Sequence, residues 1–318
     1  MKKFIILILL LLLVTSCTSL KKTEQTKELM GTIVTITIYH EDKEKAEQAI
    51  EAAFKEIQRI ENILSNYINT SEVSILNKNK KIDKASNELI YILGKSLRYG
   101  DLSRGAFDIT VQPILDLYTH SFQELKRPPT EGEVKETLKL VGYEKIFIKN
   151  RHVEFKANMK ITLGGIAKGY IIDKAIETLE KQKIKHALIN AGGDMRAIGN
   201  KGDKDWSIVL QNPRKKYQHI AVIPLNNKAV ATSGDYERFF DENKKFHHIV
   251  DPRTGYSATE LISVTIIANK AIDADALATS VFVLGKEKGL ELIESLDNIE
   301  GLIITSEKEI VKSDGFMD

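Results

Sequence analysis

The order in which strand-like and helix-like segments follow one another limits the fold of this 318-residue chain more than any other feature. Residues 32–39 alternate apolar and polar side chains, which predicts a half-buried strand. Residues 43–64 repeat apolar side chains three and four positions apart, which predicts a long amphipathic helix with a charged outer face. Strands and helices then continue in mixed order without a regular β-α-β alternation. The pattern predicts one compact α+β unit rather than a doubly wound parallel sheet.

The remaining elements follow from the same two periodicities. The predicted helices cover residues 87–98, 132–141, 168–181, 273–284 and 286–296. The predicted strands cover residues 187–190, 206–211, 219–224, 246–250 and 263–268, a hairpin covers 146–155, and two short strands end the chain. A surface loop is predicted over residues 123–133, which contain two adjacent prolines, and a polar turn over residues 230–236.

The N-terminus has the pattern of a secretory leader. Lys2 and Lys3 form a positive region, residues 4–14 are an unbroken apolar run, and small residues directly precede Cys17. The run is too short to span a bilayer as a helix but fits a signal peptide. The pattern resembles a bacterial lipobox, which implies cleavage before Cys17 and lipid attachment to its sulfur. An ordinary signal peptide followed by an incidental buried cysteine is the alternative.

This leader defines the predicted organisation of the chain. Residues 1–16 are the lipoprotein signal peptide, residues 17–28 a lipidated polar tether, and residues 29–318 one globular domain. Acyl chains on Cys17 would hold the domain at a bacterial cell membrane, since each buried methylene contributes about 0.8 kcal/mol. The expected position is lipid-anchored, facing the periplasm or the cell exterior.

Charge and cysteine content exclude several classes of protein. Removing Lys2 and Lys3 with the leader reduces the 46 basic side chains to 44, which equals the number of acidic ones. This balance argues against nucleic-acid binding, which relies on an excess of lysine and arginine. Since Cys17 is the only cysteine, neither a disulfide framework nor a thiolate zinc site can form.

Two glycine clusters indicate places where the backbone approaches another group closely. Seven of the 19 glycines lie between Gly164 and Gly202. Residues 163–170 run into a predicted helix and carry Lys168, while residues 190–194 follow a predicted strand. Exposed amides at a helix N-terminus bind phosphate, and a lysine there adds a positive charge. Neither cluster matches a dinucleotide or P-loop motif, so tight turns and a phosphate cradle are equally compatible with the spacing.

Residues 273–279 hold a second group of polar side chains. Asp275 and Thr279 are four positions apart and share one face of a predicted helix. A carboxylate and a hydroxyl offer hard oxygen ligands that suit Mg²⁺ rather than zinc. The alternative is structural, with Asp273 capping the helix and Asp275 interacting with the helix dipole.

Two adjacent histidines form a third candidate. His247 and His248 lie on a predicted extended segment, where successive side chains point to opposite faces. At most one of them can therefore face a given site. Ser233 in the polar turn lacks the G-x-S-x-G context of a hydrolase nucleophile and is not predicted to be one.

Taken in order, these segments resemble the FAD:protein FMN transferase family, also known as the ApbE flavin transferases. The matching segments are residues 30–32, 107–113, 163–173, 190–194, 231–238, 248–255 and 263–285. Each segment alone is a weak signal, but seven in the same order across nearly the whole mature chain are a strong one. Members of the family are often exported or lipid-anchored, which agrees with the leader.

The resemblance implies an enzyme of the flavin transferase type. Such enzymes split FAD in the presence of Mg²⁺, transfer the FMN half to a threonine or serine hydroxyl of a target protein, and release AMP. Targets in the family are flavin-carrying subunits of Na⁺-translocating NADH:quinone reductase, of Rnf-type complexes and of related flavoproteins. The alternatives are hydrolysis of FAD to FMN and AMP, or FAD binding without catalysis. An unrelated solute-binding lipoprotein would lack the ordered segments.

The resemblance also implies functional residues, by their position in the matching segments. The metal ligands would be Asp275, Thr279 and the backbone oxygen of Ala167, with Ala278 beside them where some relatives carry a second carboxylate. The FAD contacts would be Met30, Tyr67, Tyr118, Thr119, His120, Gly164, Lys168, Tyr170 and Val250. His248 is the expected general base, because a histidine can accept a proton near neutral pH, and Asp235 is the alternative.

Overall fold

The computed structural model describes residues 19–156, 158–202, 204–215, 217–241 and 245–317. The predicted signal peptide and the predicted lipid attachment at Cys17 lie outside these ranges. Within them, no helix is both long enough and apolar enough to cross a membrane.

The described part of the chain contains eight α-helices and thirteen strands. The helices are α1 (Lys43–Leu64), α2 (Glu72–Asn79), α3 (Asn87–Leu102), α4 (Gln112–Gln123), α5 (Glu131–Leu138), α6 (Ala167–Lys181), α7 (Ala271–Leu284) and α8 (Lys286–Glu294). The strands are β1 (Lys21–Leu29), β2 (Thr32–His40), β3 (Lys81–Ile82), β4 (Ile146–Lys149), β5 (His152–Phe155), β6 (Ala187–Ala191), β7 (Asp194–Ile198), β8 (Trp206–Gln211), β9 (His219–Leu225), β10 (Ala229–Gly234), β11 (Leu261–Ala268), β12 (Glu300–Thr305) and β13 (Ile310–Lys312).

Eight of these strands form one sheet in the order β1-β2-β6-β7-β10-β11-β12-β13. Every neighbouring pair in it is antiparallel. The strands β3, β5 and β4 form a second, small sheet, and β8 and β9 form a two-stranded ribbon. An antiparallel sheet with its helices packed against it confirms the predicted α+β fold.

Helices α1, α6 and α7 lie side by side against one face of the main sheet. Val34, Ile36 and Ile38 of β2 point into this layer and are fully buried. The apolar stripe of α1 faces the same layer, as its three- and four-residue spacing requires. This packing places the N-terminus of α6 beside α7, where the candidate site lies.

The β8–β9 ribbon covers part of the opposite face of the sheet. Trp206, Ile223 and Leu225 of the ribbon pack against Val230 and Ile267 of the main sheet. Strand β11 therefore has neighbours on both faces, and all eight of its residues are buried. A continuous apolar run is the sequence pattern of such a doubly covered strand.

Most elements lie where the two periodicities predict them. Helix α1 and strand β8 have the predicted bounds, and the hairpin over residues 146–155 is confirmed as β4 and β5. Helices α2 and α4 were not predicted, since both are short and interrupted by polar residues. The loop predicted over residues 123–133 ends early, because Thr130 and Glu133 form a capping box that starts α5.

The tether predicted over residues 17–28 is wrong from Lys21 onward. This segment forms β1, which pairs along its whole length with β2. Only Thr23 of this edge strand is buried, so the strand has no apolar alternation that its sequence could reveal. It is held by the backbone ladder to β2 and by a tight turn at Met30 and Gly31, which both have positive φ.

Two polar segments also differ from their predicted structure. Residues 230–236 are not a turn: most of them belong to β10, where the Thr232 hydroxyl bonds to that of Thr265 on β11. Residues 246–250 are not a regular strand, and they make only the isolated bridges 239–247 and 250–257. Residues 230–236 were predicted to be a turn because they are polar. Inside the fold, polar side chains of this segment instead bond to side chains of the neighbouring strand.

Candidate active site

The N-terminal end of α6 meets α7 at a very close crossing. A Cβ atom on Gly169 would lie 2.2 Å from the carbonyl oxygen of Ala271, so only glycine fits there. This approach lets the Gly169 amide donate a hydrogen bond of 2.9 Å to Oδ2 of Asp275. The first glycine cluster therefore serves a helix crossing, and the carboxyl group of Asp275 is held at the N-terminus of α6.

Asp275 belongs to a buried cluster of three charged side chains. Asp275 is 5% exposed and Asp194, at the start of β7, is 3% exposed. Nζ of Lys168 forms an ion pair of 3.0 Å with Oδ2 of Asp194, and its charge also acts on Asp275. The cluster thus joins the first turn of α6, the first residue of β7 and the second turn of α7.

The charges of this cluster shift the pKa values of its members. Burial raises the pKa of Asp275, and the negative charge of Asp194 adds to this effect, although Lys168 opposes it. Burial by itself would lower the pKa of Lys168, but the two carboxylates hold it above its ordinary value. Two carboxylates share one ammonium group, so the fully ionised cluster has an excess negative charge.

Thr279 lies one helical turn after Asp275 on the same face of α7. Its hydroxyl is 3.3 Å from the hydroxyl of Ser233 on β10. A Cβ atom on Gly165, in the turn before α6, would lie 2.9 Å from Oγ1 of Thr279 and 3.3 Å from the ring of Phe107. The structure therefore brings Asp275, Thr279 and the glycine turn before α6 together.

Asp173 of α6 fixes the N-terminus of α7. Its carboxylate accepts hydrogen bonds from the amides of Ala271 (2.9 Å) and Ile272 (3.0 Å), and it pairs with Arg196 at 2.7 Å. The structural alternative in which Asp273 caps its own helix is wrong, because α7 has no side-chain cap of its own. The carboxylate of Asp273 instead bonds to side chains of α3.

The second glycine cluster forms the hairpin turn between β6 and β7. Gly192 and Gly193 have φ values of 62° and 101°, which other residues rarely adopt. The Gly193 amide donates a hydrogen bond of 3.0 Å to Oδ1 of Asn190. This cluster is therefore a tight turn rather than a phosphate cradle, and it positions Asp194 at the start of β7.

The two adjacent histidines have different surroundings. His247 is 3% exposed, and its Nε2 donates a hydrogen bond of 2.8 Å to the carbonyl oxygen of Ala258. His248 is half-buried, and its Nδ1 lies 3.3 Å from the carbonyl oxygen of Arg238. Burial lowers the pKa of His248 to about 4, with a contribution from the positive charges of Arg238 and Lys168. The ring of His248 therefore lies near Lys168 and is neutral at physiological pH.

Asp235, the alternative base, follows β10 and already has an ionic partner. Its Oδ2 pairs with the guanidinium of Arg214, from the connection between β8 and β9. Its Oδ1 is buried and has no hydrogen-bond partner among the described residues. One oxygen of this carboxylate is therefore already engaged by a cation, and the role of Asp235 as the alternative base stays a prediction.

The residues predicted to contact FAD fall into two groups by exposure. The exposed or half-buried group consists of Met30, Tyr67, Gly164 and Lys168. The buried group consists of Tyr118, Tyr170 and Val250. Because the side chains of the second group are packed in the core, their placement gives no support to the prediction that they contact FAD.

Thr119 and His120 lie on α4, away from the charge cluster. His120 lines a cavity of about 370 Å³ together with Asp116 and Lys160, and the lining includes no member of the cluster. The hydroxyl of Thr119 donates to the carbonyl oxygen of Leu115 in its own helix. Their predicted contact with FAD stays a prediction.

Oxygen groups of α6 and α7 could serve as ligands for a magnesium ion. Among the described residues, no three His, Cys, Asp or Glu side chains are grouped so that they could hold a metal. A metal here would depend on the Asp275 carboxylate, the Thr279 hydroxyl and the Ala167 carbonyl, which are the hard oxygen donors that Mg²⁺ prefers. A divalent cation would also offset the excess negative charge of the cluster. Ala278 is buried and has only a methyl group, so its side chain adds no ligand.

Sequence reasoning missed four residues that shape the site. Asp194, Asp173 and Phe107 lie inside the matching segments, yet their partners are on other elements of the fold. Arg196 is on β7, and its pairing with Asp173 joins the sheet to α6. For Asp194 the one available signal was its position directly after the Gly192-Gly193 pair.

Comparison with known proteins gives consistent matches over most of the chain. The ApbE family matches residues 30–303. The FAD:protein FMN transferase of Haemophilus influenzae is 34% identical over 284 residues, which cover 84% of this chain and 81% of that protein. The crystal structure of the ApbE protein from Thermotoga maritima has a TM-score of 0.84 at 33% identity and covers 92% of this chain and 97% of that one. The flavin transferase ApbE from Vibrio cholerae has a TM-score of 0.80 at 26% identity and covers 93% and 98%. The chain therefore belongs to the ApbE family.

Proposed function

We propose that this protein transfers the FMN half of FAD to a threonine or serine hydroxyl of a target protein and releases AMP. The relative from Haemophilus influenzae is named for such a transfer. The observation that carries the proposal is the buried cluster of Lys168, Asp194 and Asp275 beside the Thr279 hydroxyl. Phosphoryl transfer depends mainly on positioning and on charge stabilisation, which such a cluster can supply.

His248 would act as the general base. A carbonyl oxygen only accepts hydrogen bonds, so the Nδ1 beside Arg238 carries the ring proton and the lone pair is on Nε2. The negative charge of a bound diphosphate would raise the pKa of this ring from about 4 toward neutrality. His247 is unsuited to the role, since both of its ring nitrogens are bonded to the backbone.

The transfer forms one bond to phosphorus, breaks another and moves one proton. The oxygen of the acceptor hydroxyl attacks the phosphorus of the FMN half, and its proton passes to Nε2 of His248. The bond from this phosphorus to the bridging oxygen breaks, and AMP leaves with the electron pair. Lys168, whose pKa is held above its ordinary value, would offset part of the charge of the diphosphate.

Mg²⁺ would be held by the Asp275 carboxylate, the Thr279 hydroxyl and the backbone oxygen of Ala167. When bound, it would supply charge neutralisation at the phosphoryl oxygens. The Gly169 amide, bonded to Oδ2 of Asp275, fixes the orientation of that carboxylate. Asp173 contributes indirectly, because it fixes the first turn of the helix that carries Asp275.

The proposal extends to the targets and to the location of the protein. The targets would be flavin-carrying subunits of Na⁺-translocating NADH:quinone reductase or of Rnf-type complexes. A lipid on Cys17 would hold the domain at the outer side of a bacterial membrane. Because β1 begins at Lys21, the connecting chain spans at most about 14 Å, which keeps the domain close to the lipid surface.

The test is incubation with FAD, Mg²⁺ and a flavin-carrying subunit of Na⁺-translocating NADH:quinone reductase, followed by mass spectrometry of that subunit. The expected product is an FMN adduct on a threonine or serine. Asp275→Asn should abolish adduct formation, while the matched variant Asp273→Asn should retain it, because Asp273 bonds to α3 and not to the site. Undiminished transfer by Asp275→Asn would overturn the assigned site.

A further inference from the structure

Arg238 contacts both the candidate base, His248, and the exposed Tyr67. Its carbonyl oxygen accepts hydrogen bonds from the backbone amide (3.2 Å) and from Nδ1 (3.3 Å) of His248. Its guanidinium Nη1 donates to the hydroxyl of Tyr67, 3.3 Å away, in the segment that follows α1. The side chain therefore extends from the segment after β10 to the segment after α1, beside His248.

Arg238 differs from two nearby cations, Lys168 and Arg214, in its ionic partners among the described residues. Lys168 is paired with Asp194, and Arg214 is paired with Asp235. The guanidinium of Arg238 has no carboxylate within ion-pair distance among the described residues, and the hydrogen-bond partner that it has there is the neutral phenol of Tyr67. Its charge is therefore available to an anion that enters the site.

The charges of Arg238 and Lys168 both reach the ring of His248. Each of them disfavours the protonated form of this imidazole, which places both cations within electrostatic range of it. The nearby negative charge of Glu237 acts on Lys168. An anion bound beside His248 would thus be attracted by two positive side chains, of which Arg238 is the one without an acidic partner in the described structure.

We propose that the guanidinium of Arg238 binds a phosphate of FAD. This inference rests on the proposed function, because it requires FAD to bind beside His248. The backbone carbonyl of Arg238 is bonded to His248, while its exposed side chain is bonded to Tyr67, one of the predicted FAD contacts. A guanidinium is planar and binds phosphate oxygens in pairs, and the bond to Tyr67 uses only one of its N–H groups.

The test compares flavins that differ in phosphate. The dissociation constants of FAD and of riboflavin are measured by flavin fluorescence, for the full chain, for Arg238→Gln, for Arg238→Lys and for the control Arg98→Gln. Arg98 is an exposed arginine on α3, and its replacement removes the same charge elsewhere. Arg238→Gln should weaken FAD binding by about tenfold to a hundredfold, the effect of losing a charged hydrogen bond. Riboflavin binding should stay unchanged, and Arg238→Lys should be intermediate.

Two other outcomes would contradict the assignment of Arg238 as a phosphate ligand. Unchanged FAD affinity in Arg238→Gln, or an equal loss for riboflavin, would show that the side chain does not bind phosphate. The salt dependence of FAD binding gives a second measure, since loss of one ionic contact should flatten it relative to Arg98→Gln. If the unsubstituted protein forms the FMN adduct and Arg238→Gln binds FAD normally, only this inference fails. If the unsubstituted protein binds no FAD, the proposed function fails with it.

Discussion

Replacing Gly169 with alanine should damage both stability and catalysis through one contact. The added Cβ atom would lie 2.2 Å from the carbonyl oxygen of Ala271 and 2.8 Å from the Cα atom of Ile272. These are backbone atoms at the start of α7, so they cannot turn aside as a flexible side chain could. Helices α6 and α7 must therefore separate, which stretches the hydrogen bond from Gly169 to Asp275.

The size of this effect follows from the distances. Real Cβ atoms essentially never come within 3.0 Å of such a neighbour, so the 2.2 Å contact must open by about 0.8 Å. Overpacking of this kind costs about 1 to 3 kcal/mol, and the weakened bond to the Asp275 carboxylate adds a similar amount. The higher helix propensity of alanine recovers up to about 1 kcal/mol. The free energy of unfolding should fall by about 1 to 5 kcal/mol.

The shift should also slow the transfer of FMN. A displacement of about 1 Å in a positioning group can reduce a rate by about a hundredfold. The assay is urea unfolding together with single-turnover FMN transfer. Gly94→Ala is the matched control, because Gly94 lies within α3 and a Cβ atom added there would meet no atom of the described residues within 4 Å. That variant should gain slightly in stability, since alanine favours the helix more than glycine does. Equal stability and equal transfer rates for the two variants would refute the account of the crossing.

Three further predictions concern the cap, the base and the anchor. Asp173→Asn should lower the free energy of unfolding by about 3 to 5 kcal/mol in urea, because it leaves Arg196, whose side chain is only 14% exposed, without its carboxylate; an unchanged unfolding curve would contradict this. His248→Ala should slow single-turnover transfer by about a hundredfold to ten-thousandfold with little change in FAD affinity. His247→Ala should instead mainly destabilise the fold, and similar small effects from both would remove His248 as the base. Cys17→Ser should lose any acyl mass and leave the membrane fraction, while persistence in that fraction would argue against the lipid anchor.

The sequence was most informative where one face of an element is buried. Residues 43–64 show the helical period because α1 packs one stripe against the sheet, and its bounds were predicted correctly. Residues 21–29 show no period because both faces of β1 are largely exposed. Pairing of an edge strand depends on backbone hydrogen bonds, which leave no apolar pattern in the side chains.

The candidate site could be predicted only in part. The four-residue spacing of Asp275 and Thr279 identified one face of α7, and the structure places the glycine turn before α6 against that face. The partners Asp194 and Asp173 could not be found in this way, because each acts on an element distant in the chain. Packing buries the ring of Tyr118, so its FAD contact, which came from position in a family pattern, stays a prediction.

The helix cap shows why local rules miss such partners. An aspartate in the first turn of a helix is a common sequence signal for capping, and Asp273 has that position. The amides of Ala271 and Ile272 instead bind Asp173, which lies one helix away and about a hundred residues earlier. Because Asp173 caps α7 from α6, it links the two helices and keeps Asp275 at their crossing. Such a tertiary contact leaves no local pattern in the sequence.

The ratio of AMP released to flavin bound covalently tests the central claim most directly. The protein is incubated with FAD, Mg²⁺ and excess acceptor subunit, and AMP, free FMN and the FMN adduct are quantified in the same sample. Transfer through a site that includes Asp275 and His248 predicts equal amounts of AMP and adduct, with little free FMN. AMP accompanied by an equal amount of free FMN and no adduct would contradict the account, because water would then be the acceptor.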